Sequence, residues 1–252
     1  MPDASLNGIS IHHQHGGSGP RLLFLNGSGA TLATSGVVLA PFADRFELLA
    51  HDQRGLGLTS VPAAQPTMAE FAADAVALAD HVGWDTFRVV GISFGGMVAQ
   101  ELAVTWPDRV ERLALLCTSP GGPDLSSYPL HEPGPLAPTV LDTRFTPEWL
   151  ATHDLDRMIA DFFGARRAEE RTAGFEMQLE ARRHHDVVDR LGRISCPTLV
   201  AGGRYDGIAP PANSTAIAEA VAGAELRFYE GGHAFFGQDP TAVPDVVAFL
   251  SS

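Results

Sequence analysis

The chain has 252 residues, enough for one α/β domain with a full core or for two small domains. Thirty acidic against seventeen basic side chains give a formal net charge of −13, which argues against nucleic acid or an anionic membrane as a partner. No apolar run reaches the length of a membrane span, and MPDASLNGIS lacks the basic and apolar regions of a signal peptide, so the cytoplasm is the default compartment.

Taken in order, the opening segment reads as a hairpin through Asn7-Gly8, a pair suited to a type I′ turn. Strand-like runs then recur at Arg21–Asn26, Phe46–Asp52, Phe87–Gly91, Arg112–Cys117, Thr198–Gly202 and Glu225–Glu230. Met68–Val82 is helical in period, with a capping-box spacing of Thr67 and Glu70 before it and Gly83 after it. Strands alternating with helices imply a mostly parallel sheet covered on both faces. The alternation lapses after Thr118. Six prolines between Pro120 and Pro138 mark a loop, and helix-like segments follow at about 147–163 and 165–182. Strands of the same type resume at Thr198, so residues 120–193 read as an insertion in one domain, whose core is 1–119 and 194–252. Cys117 and Cys196 lie in or beside apolar runs and read as buried thiols.

The stretch FRVVGISFGGMVAQELAVTWP changes from strand to helix at Gly91-Ile92-Ser93-Phe94-Gly95. A serine there is either a helix cap or a nucleophile held on a strained strand-to-helix turn whose glycines permit close packing. The bare pattern does not decide between these. A serine hydroxyl also needs a base, a group that orients the base, and N–H donors for the oxyanion. In open α/β sheets such groups gather at the carboxyl ends of strands. Two positions fit: Asp206 in CPTLVAGGRYDGIAP and His233 in ELRFYEGGHAFFGQDP, each directly after a strand. The order Ser93, Asp206, His233 is that of hydrolases with this elbow. The oxyanion donors are then the N–H of Phe94 and, from LNGSGA, the N–H of Ser28. The latter loop also resembles the start of a dinucleotide fingerprint, but Leu32 stands where the third glycine is needed.

Together LFLNGSGA, HDQRGLGLTS, VVGISFGGMVAQELA, GGRYDGIAP and GGHAFF resemble the α/β-hydrolase family, most closely its small esterase and 3-oxoadipate enol-lactonase branch. The resemblance implies an eight-stranded, mostly parallel sheet flanked by helices, with a helical cap. It makes Asp52 and Arg54 structural. Asn26 stands where many members carry histidine and enol-lactonases tend to carry asparagine. Asn26 and Phe235 are expected to face the substrate, and Phe94, Trp149, Phe162, Phe163 and Phe236 are further candidates for an acyl pocket.

The expected activity is hydrolysis of a carboxylic ester or lactone through an acyl-enzyme on Ser93, with a small-molecule substrate and no cofactor or metal. C–C bond hydrolysis or acyl transfer on the same triad, and a silent binding module, are the alternatives. A homo-oligomer is compatible with the composition. His184-His185-Asp186 reads as ordinary cap residues, because adjacent histidines point apart on a helix. His12, His13 and His15 read as solvated, and His51 as lining either the core or the site.

Overall fold

The computed structural model describes residues 3–123, 144–154 and 172–252. The first two strands, β1 (Asp3–Leu6) and β2 (Ile9–Gly17), form the expected hairpin. Asn7 and Gly8 both take positive φ, 48° and 77°, as a type I′ turn requires. Six further strands follow: β3 (Arg21–Leu25), β4 (Glu47–His51), β5 (Phe87–Ile92), β6 (Val110–Leu116), β7 (Thr198–Gly203) and β8 (Glu225–Tyr229). They complete one eight-stranded sheet in the order β1-β2-β4-β3-β5-β6-β7-β8. β2 runs antiparallel to β1 and β4, and every other pairing is parallel.

The parallel strands are apolar on both faces because helices cover both. Leu23 and Leu25 of β3 join one core layer with residues of α2 (Met68–His81), α3 (Phe94–Thr105) and α6 (Pro211–Ala220), among them Phe71, Val98, Leu102 and Ile217. Leu22 and Phe24 join the other, beneath Leu39 and Phe42 of α1 (Gly36–Ala43) and Val246, Phe249 and Leu250 of α7 (Ala242–Ser251). The reciprocal capping box starts α2: the Thr67 hydroxyl accepts from Glu70 N–H, and the Glu70 carboxylate accepts from Thr67 N–H.

After β3 the chain steps outward to β4, then returns to the other side of β3 as β5. The loops leaving β3 and β5 therefore diverge at their carboxyl ends, where open sheets of this kind form their crevice. Between β6 and β7 lie two described helices, α4 (Pro147–Leu150) and α5 (Ala173–Arg183). The first is shorter than the periodicity of 147–163 suggests. Thr152 and His153 side chains bond back to the Trp149 carbonyl at its end, and residues 155–171 lie outside the described part. The Thr172 hydroxyl caps α5 by accepting from Phe175 N–H. Among the described residues no helix is long and apolar enough to cross a membrane.

The amino-terminal histidines need correction. His12 and His13 are buried, not solvated, because β2 is paired on both sides. His12 Nδ1 lies 2.7 Å from the Asp3 carboxylate, and the His13 ring meets His81 of α2 edge-on. His15 alone of the three is exposed, against Glu47 and Trp84. His51 is core: it pairs with His13 across the sheet, and its buried Nδ1 has no partner among the described residues. Cys196 is only half-buried, while Cys117 is fully buried; both are free thiols.

Burial pushes the His51 and His185 rings down to about 4, since desolvation penalises the charged form. An unfolded chain would protonate both near 6.5. Stability from these groups is therefore complete above about pH 6.5 and lost as pH falls toward 4, by up to about 3 kcal/mol per ring. Urea unfolding of wild type and His51→Gln between pH 7.5 and 4.5 checks this. The wild-type curve should fall more steeply, and parallel curves would contradict it.

Candidate active site

β5 ends at Ile92 and α3 begins at Phe94, so the reversal is made at one residue. Ser93 sits there with φ 53° and ψ −114°, a conformation that costs a non-glycine residue roughly 1–3 kcal/mol. Its hydroxyl makes no cap bond to the helix, so the capping alternative does not describe this turn. The surroundings hold the strain in place. Ser93 N–H donates to the Leu116 carbonyl at 2.9 Å, and the Thr118 hydroxyl donates to the Ser93 carbonyl at 2.8 Å. The flanking glycines are needed for contact: a Cβ on Gly91 would overlap the Gly95 carbonyl, and one on Gly95 would overlap the Leu25 carbonyl.

Asp206 and His233 arrive from the next two strands. Asp206 follows β7 and is buried; its Oδ1 accepts from Ile208 N–H at 2.8 Å and Ala209 N–H at 2.9 Å. His233 follows β8 through Gly231-Gly232. The two loops are zipped together, with Arg204 N–H donating to the Tyr229 carbonyl and Tyr205 N–H to that of Gly231. Gly203 and Gly232 approach so closely that a Cβ on Gly203 would overlap the Gly232 carbonyl. In the result His233 Nδ1 lies 2.8 Å from Asp206 Oδ2, and His233 Nε2 lies 3.0 Å from Ser93 Oγ. A carboxylate can only accept, so Nδ1 carries a proton toward Asp206, and the Nε2 lone pair of the neutral ring faces the serine.

The loop leaving β3 runs beside the elbow. A Cβ on Gly27 would stand 3.7 Å from Ser93 Cβ. Ser28 is half-buried in this loop, and among the described residues its N–H has no hydrogen-bond acceptor. The Phe94 N–H, at the first position of α3, has no acceptor within the helix. The carboxylate of Asp52 supports this loop from below by accepting from Leu32 N–H at 2.7 Å and Leu58 N–H at 2.9 Å. Arg54 is occupied by a buried ion pair with Asp74.

Other expected pocket residues lie elsewhere. The Phe235 ring is fully buried, stacked on Tyr229 at 5.3 Å in the core layer beneath α7, so it packs the core rather than facing a substrate. The Phe94 ring is likewise core, edge-on to Phe71. Trp149 stacks between Phe145 and His153. Phe162 and Phe163 fall outside the described residues, and so does Asp124, seven positions after Cys117 in sequence and the rival of Asp206 as the orienting acid. Asn26 is buried beside the elbow, and among the described residues its side-chain Nδ2 has no partner. His184 is exposed against Glu180, whereas His185 is buried.

Two residues that the sequence reading passed over reach the same loop: Gln53, which bonds the Asn26 carbonyl, and Gln178 of α5, which bonds Gly29 N–H. The signal for Gln178 is a glutamine on the buried stripe of α5, between Gly174 and Ala181.

Comparison with known proteins agrees with this architecture. A family model described as the alpha/beta hydrolase fold matches residues 20–178. The chain is 27% identical to 3-oxoadipate enol-lactonase 2 of Acinetobacter baylyi, over 88% of this chain and 85% of that one. It is 25% identical to a putative carbamate hydrolase, RutD, of Azorhizobium caulinodans, over 95% and 94% of the two chains. The crystal structure of the enol-lactonase from Burkholderia xenovorans LB400 superposes with a TM-score of 0.85 at 26% identity, covering both chains fully. With the family model spanning more than half of its length, the chain is an enzyme of the α/β-hydrolase family.

Proposed function

We propose that this hydrolase cleaves a carboxylic ester or lactone through an acyl-enzyme on Ser93, with His233 as the base and Asp206 as the acid that orients it. The observation that carries the reading is the unbroken line of contacts from Asp206 Oδ2 through both nitrogens of His233 to Ser93 Oγ, at 2.8 and 3.0 Å. Its likeness to an enol-lactonase along nearly its whole length supports the choice of ester or lactone. In this reading residues 120–193 cap a single core formed by 1–119 and 194–252, and the substrate is a small molecule that enters between them.

His233 Nε2 takes the hydroxyl proton as Ser93 Oγ attacks the carbonyl carbon. Negative charge moves to the carbonyl oxygen, which accepts from the N–H groups of Phe94 and Ser28. The α3 dipole adds to this stabilisation at its amino end. Collapse of the tetrahedral intermediate breaks the bond to the leaving oxygen, and His233 returns the proton to it. For a lactone the leaving alkoxide or enolate stays tethered to the acyl group. A water molecule, deprotonated by His233, then releases the carboxylic acid and restores Ser93. Asp206 remains ionised throughout. The bonds from Ile208 and Ala209 leave its second oxygen free to hold one imidazole tautomer.

A fluorophosphonate should add once to the wild-type protein, on the peptide that contains Ser93. Equal labelling of Ser93→Ala, read by mass spectrometry, would remove the serine from the mechanism. Asp206→Asn should lower kcat by up to about 10⁴-fold, with the thermal midpoint and KM little changed, because the amide presents a donor to Nδ1 and reverses the tautomer. Near-native turnover in this variant would place the orienting acid elsewhere, with Asp124 the alternative to test.

A further inference from the structure

The loop from Asn26 to Gly29 is held at both ends by one pair of side chains. At its start the Asn26 carbonyl accepts from Gln53 Nε2 at 2.8 Å. At its end Gly29 N–H donates to Gln178 Oε1 at 2.8 Å. Between them Gln178 Nε2 donates to Gln53 Oε1, again at 2.8 Å. Gln53 lies just after β4 and Gln178 on α5, and both are buried.

The chemistry of this relay suits amides, which carry a donor and an acceptor side by side. Its first backbone group is an acceptor and its last a donor, so each linking side chain must donate on one side and accept on the other. A carboxylate lacks the donor, an ammonium lacks the acceptor, and an alkyl chain lacks both. The two backbone groups also fix which way each amide faces.

Helix α5 is pressed onto the same region by independent contacts. Gly174 packs against Gly55 with no room for a Cβ on either residue. The Phe175 ring would lie 3.1 Å from a Cβ on Gly29, and Gln65 Nε2 donates to the Met177 carbonyl at 2.8 Å. A loop with glycine at 27 and 29, the latter at φ 71°, has little rigidity of its own. Removing Gln53 takes the partner from the buried Asn26 carbonyl, and removing Gln178 takes it from the half-buried Gly29 N–H; either loss also strands the facing amide of the other glutamine and pushes the loop to shift toward water.

We propose that Gln53 and Gln178 are positioning residues that set the Ser28 N–H for the oxyanion, so that α5 helps to build the oxyanion hole. The inference rests on the reading of Ser93 as nucleophile and Ser28 N–H as donor. Neither glutamine touches the reacting atoms.

The test uses Gln178→Met, Gln53→Met and the double variant of the full chain. Ester turnover, thermal midpoint and the rate of Ser93 phosphonylation by a fluorophosphonate are measured for each. In both single variants kcat and the phosphonylation rate should fall together by roughly ten- to a hundredfold, with KM within about twofold of wild type. The double variant should be no worse than the poorer single one, since either change breaks the same relay. Phosphonylation at the wild-type rate, or a raised KM with unchanged kcat, would overturn the proposal. If Gln178→Met does not fold, Gln53→Met decides, because it leaves the contacts of Gly174 and Phe175 in place. A wild-type protein that is not labelled at Ser93 would sink the nucleophile reading, and the positioning role with it. A labelled wild type with equally fast variants sinks the positioning role alone.

Discussion

The closeness with which the first turn of α3 is laid against the ends of β3 and β5 sets the geometry of the whole site. Gly91 and Gly95 remove the two Cβ atoms that would hold the helix away, and Gly96 does the same against Thr118. Only with the helix this close does the turn compress into Ser93 alone, at φ 53°. The same approach brings the start of α3 beside the loop that leaves β3. The Ser93 side chain and the loop that leaves β3 thereby lie side by side, with a Cβ on Gly27 standing 3.7 Å from Ser93 Cβ. The strain at Ser93 persists because its neighbours over-determine it: α3 is buried from Phe94 to Val104, and the Ser93 backbone is bonded to the end of β6.

Around that point, two carboxylates are fixed by backbone N–H groups. Asp206 is held by two amide N–H groups, and Asp52 by those of Leu32 and Leu58. The amides of Gln53 and Gln178 form a buried hydrogen-bonded network against the loop after β3. Such networks rigidify when every member is satisfied and are costly when one is not. The contacts among Ser93, His233 and Asp206 thus inherit their precision from the sheet, whose adjacent loops are zipped to one another beyond the strand ends.

Much of this was legible in the sequence because local rules and tertiary structure agree there. The Asn7-Gly8 turn, the Thr67–Glu70 box and the apolar runs of the parallel strands each follow from short-range chemistry. Ser93, Asp206 and His233 could be aligned because each follows a strand, and the carboxyl ends of parallel strands lie on one side of the sheet. Side-chain direction was not legible. Phe235 stands two residues from His233 yet turns into the core onto Tyr229, and the Phe94 ring turns away from its own N–H to meet Phe71. The burial of His12 and His13 depends on β4 pairing with β2, a long-range contact that no local pattern announces. Gln53 and Gln178 meet across 125 positions of sequence, and only the folded chain shows that two unremarked amides complete one relay.

In the proposed reaction Ser93 attacks a carbonyl whose oxygen is received by the N–H groups of Phe94 and Ser28. A crystal structure of the protein with an alkyl boronic acid, which forms a tetrahedral adduct with an activated hydroxyl, tests this most directly. The expected adduct has a bond from boron to Ser93 Oγ, with one boronate oxygen about 2.7–3.1 Å from both the Phe94 and Ser28 nitrogens. Boron bound to another residue, or a boronate oxygen that lies away from these two N–H groups, would contradict it.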